Sequence, residues 1–216
     1  MTSGYSDRIN HAFAFAAKHH DQQVRKGTRF PYLTHAPNMA VILTRYGLDE
    51  DTVVAGILLD VVRDWVRDSY TRERLEHRVG DKFGPHVLST VVDIAERRSD
   101  DSGVELAQEE QKEDLLNRLK SASDQSRWVC AADAVYNGSS LLADLRRTEF
   151  PDTMWSRYFG GREGTIRWYR RLVDRLAEVG FEAPIMAELL TVVEELELGT
   201  RESGVGSRES GRGTRR

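Results

Sequence analysis

The amino-acid sequence predicts an all-α protein, and three observations carry the prediction. Apolar residues recur at helical spacing over most of the chain, as at Ile9, Ala12, Phe13 and Ala16. No two segments alternate apolar and polar residues over the length of a strand pair. The valine pairs at 53–54, 61–62 and 91–92 lie within helical patterns rather than strand ones.

The first helix is expected from Ser6 or Asp7, either of which suits an N-cap, to about His20. The next stretch, QQVRKGTRFPYLTH, contains Gly27 and Pro31 and reads as a loop. A second helix follows from about Pro37 to Tyr46 and stops at Gly47. The third begins near Glu50 and carries TVVAGILLDVVRDWV, whose almost unbroken apolar character marks a central, buried helix. Further helices are expected over 71–79, 84–97, 105–120, 124–147, 162–179 and 184–197, with RSDDSGV at 98–104 as a polar loop. There is no internal repeat. The final LGTRESGVGSRESGRGTRR is nearly devoid of apolar residues and cannot bury enough surface to offset its ordering entropy. One helical domain over 1–197 is therefore expected, followed by a disordered Gly/Ser/Arg-rich tail over 198–216 with solvated arginines.

Bulk properties narrow the function. A formal net charge of −4 is not that of a general nucleic-acid binder, whose surface is broadly basic. No stretch approaches the roughly 18 apolar residues of a membrane span. The start, MTSGYSDRIN, lacks the basic and apolar regions of a signal peptide. Cys130 is the single cysteine, so no intrachain disulfide can form, and it is expected as a small buried residue. A cytoplasmic protein is the expectation; the pattern specifies no oligomeric state.

Three separated segments carry the polar residues of interest: RKGTRFPYLTH at 25–35, AGILLDVVRD at 55–64 and CAADAVYN at 130–137. His35 stands at a helix start. Asp60 and Asp64 are four residues apart and share a helix face, as do Asp133 and Asn137. A charge in an apolar helix costs several kcal/mol or shifts its pKa unless it has a partner. Asp60 and Asp133 therefore require something positive, and the residues alone leave two solutions open, a divalent metal or an arginine.

The order and spacing of these segments resemble the HD-domain hydrolases of the RelA/SpoT class, above all the small alarmone hydrolases. AFAFAAKHHDQQVRKGTRFPYLTH is similar to the family's A-x-x-F-A-x-x-x-H and Q-x-R-K-G-T-x-x-P-Y-x-x-H. MAVIL at 39–43, FGPHV at 83–87, ADAVYN at 132–137 and WSRYFGGREGTIRWYRRL continue the likeness, which covers about residues 5–195. The resemblance implies an HD-domain helical bundle. It implies one Mn²⁺ on two histidines and two aspartates, at positions 35, 59, 60 and 133. It implies a catalytic Glu-Asp pair at 63 and 64 that orients the attacking water, with phosphate and ribose contacts from Arg25, Lys26 and Asn137. The implied reaction removes the 3′-pyrophosphate of ppGpp or pppGpp.

Two positions depart from that pattern. Residue 59 is Leu59, which cannot ligate a metal, and residue 63 is Arg63, which stays protonated and cannot accept a proton from water. His35, Asp60 and Asp133 remain as ligands, with Asp64 as the surviving catalytic carboxylate. Loss of a water-orienting or general-base group costs about 10²–10⁴ in rate. Arg63 lies three residues after Asp60, so its guanidinium is expected to pair with Asp60 or Asp133 in place of the ion. The leading expectation is a homologue that binds a guanosine or related purine nucleotide with impaired hydrolysis. The alternatives are an active hydrolase whose metal site is completed by water, and a non-catalytic interaction protein on the same fold. His19 is assigned a helix-terminal role, His77 and His86 surface or helix-end ones. Of the aromatic segment, most is assigned to the core, with Tyr158 or Arg157 considered as borders of a nucleotide pocket.

Overall fold

The third expected helix explains the arrangement of the rest. In the computed structural model, which describes residues 5–21, 23–24, 30–63, 71–100 and 102–202, it spans Glu50–Arg63, here α3. Asp49 caps it by accepting the Thr52 N–H at 2.9 Å, and Glu50 and Asp51 in the first turn suit the positive end of the dipole. Every residue from Thr52 to Val62 is buried, so the helix needs neighbours all round. They are α1 (Asp7–His19), α2 (His35–Arg45), α4 (Arg72–Phe83), α5 (Pro85–Ile94) and α7 (Asp124–Arg147). Gly56 permits the close approach of α2: a Cβ there would lie 2.5 Å from Leu43 Cδ1.

A second layer completes the bundle. α6 (Gln108–Arg118) packs on α5 and on α9 (Gly161–Glu178), and α10 (Ile185–Glu202) packs on α7 and α9. Gly138 of α7 lies where a Cβ would collide with Val192 of α10 and crowd Tyr169 of α9. Arg118 ties α6 to the C-terminal end of α5 by donating to the carbonyls of Val92 at 3.0 Å and Ala95 at 2.9 Å. Those carbonyls have no partner within the helix, so the guanidinium satisfies groups that burial would otherwise penalise.

The all-α prediction holds: among the described residues there is no strand, only isolated bridges between Val24 and Pro31 and between Ser99 and Glu105. Ser6 caps α1, accepting the Ile9 N–H at 3.1 Å, and Gly47 follows α2 with φ 73°. Several details differ from expectation. α4 continues to Phe83, past the expected end at 79, because Val79 and Phe83 extend its buried face. α5 stops at Ile94 rather than 97, since Ala95 turns extended. A five-residue helix, α8 (Pro151–Trp155), precedes α9 in the aromatic segment. α10 continues past its expected end at 197 to Glu202, through the first residues of the expected tail, whose remainder from residue 203 onward lies outside the described residues. No helix among the described residues is long and apolar enough to cross a membrane.

Candidate functional site

Three helices bring five of the expected residues to one point. His35 opens α2, Asp60 and Arg63 occupy the last turn of α3, and Asp133 and Asn137 lie midway along α7. His35 Nε2 is 2.8 Å from Asp133 Oδ1. His35 Nδ1 is 3.0 Å from Asp60 Oδ2, within ionic contact but off the line of a hydrogen bond. Arg63 spans both carboxylates: Nη1 donates to Asp60 Oδ1 at 3.1 Å and Nη2 to Asp133 Oδ2 at 2.9 Å. Asn137 Nδ2 donates to Asp133 Oδ1 at 2.9 Å. The Tyr136 ring stands edge-on to His35 with centroids 5.0 Å apart.

The titration behaviour follows from this closure. Burial pulls the His35 imidazolium down, but Asp60 and Asp133 outweigh it and leave the pKa raised. Burial acts against the Arg63 guanidinium too, and Asp133, Asp60 and then Glu96 raise its pKa well above the ordinary value. For Asp133, burial favours the neutral acid, yet Arg63 and His35 hold the carboxyl far below the usual carboxylate range. His35, Asp60, Arg63 and Asp133 thus form a closed quartet in which two basic side chains face two carboxylates.

Three metal-ligating groups converge here, since His35, Asp60 and Asp133 each offer a donor atom within 4.8 Å of the others. In this arrangement they do not fit a divalent ion. Both His35 nitrogens already lie against carboxylates. The guanidinium already lies on both aspartates, so an ion would have to displace a tethered cation. Leu59 is fully buried in the core and offers no fourth donor.

From the quartet a cleft of about 470 Å³ runs outward. α6 contributes Gln108, Gln111 and Lys112 to its walls, and α9 contributes Thr165, Trp168 and Tyr169. Arg157, Tyr158 and Phe159 also line it. Beyond Arg63 a second hollow of about 690 Å³ is lined by Glu96, Arg98 and Glu105 among others. Cys130 also borders the cleft, and burial pushes its thiol up to about 12.

Of the residues singled out in the sequence, Arg25, Lys26 and Asp64 lie outside the described residues. Tyr158 and Arg157 line the cleft, while Trp155 and Tyr169 are buried. His77 and His86 are exposed, and His19 stacks obliquely on Phe15 with centroids 4.6 Å apart. Sequence reasoning missed Glu96, Gln108, Gln111 and Lys112. The last three share a helix face by their i, i+3, i+4 spacing, but a polar face at that spacing is also what a solvated surface shows.

The family model described as HD domain matches residues 12–137, a span that holds the whole quartet. The chain belongs to the HD-domain family. Its relatives include guanosine-3′,5′-bis(diphosphate) 3′-pyrophosphohydrolases and GTP pyrophosphokinases. Over 142 residues it is 33% identical to the guanosine-3′,5′-bis(diphosphate) 3′-pyrophosphohydrolase MESH1 of Xenopus tropicalis, covering 64% of this chain and 70% of that one. It is 29% identical over 179 residues to MESH1 of Drosophila melanogaster, covering 82% and 88%. A solved structure of a metazoan ortholog of SpoT, which hydrolyzes ppGpp and plays a role in starvation responses, superposes with a TM-score of 0.67 at 25% identity, over 90% of this chain and 98% of that one. Against the guanosine-3′,5′-bis(diphosphate) 3′-pyrophosphohydrolase of Aquifex aeolicus, 33% identical over 78 residues, the chain spans only 11% of the relative.

Proposed function

We propose that this protein binds a ppGpp-like guanosine nucleotide in the cleft, in the cytoplasm, with its pyrophosphohydrolase activity impaired. The observation that carries the reading is Arg63 bridging Asp60 and Asp133 where the relatives' pattern implies a metal-centred site. Hydrolysis needs a group that orients water and takes its proton. Arg63 cannot accept one. Asp133 is held by His35, Arg63 and Asn137, and its depressed pKa makes it a weak base. Asp60 is engaged by Arg63 and His35. Asp64 is the remaining candidate for orienting water, without the glutamate that would act beside it. Arg25, Lys26 and Asn137 are assigned to phosphate and ribose contacts, and Mn²⁺ is the ion to test for any residual metal site.

Two measurements on the full chain test this. Calorimetry with ppGpp should show binding. Pyrophosphate release in the presence of Mn²⁺ should stay at background for the wild type and appear in the double variant Leu59→His, Arg63→Glu. Strong turnover by the wild type would establish an active hydrolase instead. Failure to bind any guanosine nucleotide would leave the fold serving as an interaction surface.

A further inference from the structure

Arg63 already lies on two carboxylates, which raises a question of charge. A nucleotide phosphate needs a cation along the cleft wall that is not already engaged by an anion. An anion approaching Arg63 would face Asp60 and Asp133 as well.

Lys112 stands apart. It projects from α6 into the cleft, with Nζ 5.2 Å from the centre of the Phe159 ring and 5.4 Å from that of Trp168. Among the described residues it has no hydrogen bond or ion pair. Glu109 and Glu113, its acidic neighbours on α6, are both engaged by Arg171. Glu96 also lines the cleft, near enough to act on the ammonium through its charge without forming an ion pair. The aromatic rings favour the cation on their faces but accept none of its N–H donors. The ammonium is thus partly buried against two rings, with no hydrogen-bond acceptor among the described residues, and burial lowers its pKa.

We propose that Lys112 is a phosphate seat of this cleft, additional to the contacts assigned to Arg25 and Lys26, taking a phosphate or pyrophosphate group between α6 and the Phe159–Trp168 wall. The proposal rests on the nucleotide reading of the cleft.

The test is calorimetry on the full chain with three probes, inorganic pyrophosphate, GDP and guanosine. Lys112→Met keeps the aliphatic stem against the two rings and removes the charge, and Lys112→Arg restores it; thermal unfolding checks that both fold. Loss of a charge-assisted hydrogen bond predicts that Lys112→Met weakens pyrophosphate and GDP about 10- to 100-fold. Lys112→Arg should stay within about threefold of wild type, since it keeps the charge. Guanosine affinity should not change. Wild type that fails to bind pyrophosphate, or a methionine variant that binds it equally well, overturns the seat. So does an equal loss for guanosine and GDP, which would mean that Lys112 only packs. If pyrophosphate binds through Lys112 but no nucleotide binds, the seat stands and the nucleotide reading falls. If nucleotides bind without regard to Lys112, the reverse holds.

Discussion

Replacing Arg63 by methionine removes a guanidinium from two carboxylates and leaves its stem volume in place. The Arg63, Asp60 and Asp133 side chains are 19%, 6% and 15% exposed, so water screens the loss poorly. Breaking a buried pair by deleting one partner costs about 3–5 kcal/mol. His35 still faces both aspartates, which places the expectation at the lower end, about 3 kcal/mol. For a chain of this size each kcal/mol moves the unfolding midpoint about 2–4 °C, so a fall of about 6–12 °C is expected. The deletion also exposes His35, Asp60 and Asp133 to an incoming cation. Mn²⁺ at about 100 times its dissociation constant would return about 2.7 kcal/mol to the variant. Thermal unfolding of wild type and variant, each with and without Mn²⁺, reads all of this in one experiment. The wild type should be indifferent to the ion and the variant should respond. A wild type that rises with Mn²⁺ as the variant does would refute the argument, as would a metal-free variant with an unchanged midpoint.

Further predictions follow from the same geometry. His35, whose folded pKa is raised above 6.5, contributes stability that is fully present below about pH 6.5 and lost as pH rises through the folded value. Asp133, lowered from 3.8, contributes stability present above that value and lost as pH falls through its depressed folded pKa. Midpoints measured against pH should therefore decline on the alkaline side in the wild type, and His35→Asn should remove that decline. Gly138→Ala should cost about 1–3 kcal/mol by overpacking against Val192 and Tyr169, with part regained in the double variant Gly138→Ala, Val192→Ala, as denaturant unfolding will show. Cys130, 6% exposed with its thiol at about 12, should resist iodoacetamide at pH 8 in the folded chain and react once unfolded.

Much of this was legible in the sequence because helical periodicity is a local signal. α1 announces itself by a cap and an apolar pattern, α2 by the glycine that stops it, and α3 by being apolar on all sides. α8 was not legible, because five residues complete little more than one turn and show no period. At the site, the Asp60–Arg63 pairing follows from an i, i+3 spacing. The Asp133 contact needs α7 laid against α3, and only the fold supplies that; Arg63 reaches both aspartates, where the sequence alone left a choice between them. Glu96 and Lys112 could not be found from sequence, since their significance lies in what surrounds them across the cleft rather than in their neighbours along the chain.

The quartet bridged by Arg63 also acts as a one-way door for mutation. Leu59→His alone would set a fourth ligand beside a guanidinium that still holds the aspartates. Arg63→Glu alone would place a third carboxylate beside Asp60 and Asp133 with only His35 to balance them, a like-charge cluster that burial penalises. Each single step back towards a metal centre thus meets an obstacle that the other step must clear. A lineage that exchanged an ion for a side chain at this position would tend to keep the exchange, whether or not the new arrangement had been favoured for what it does.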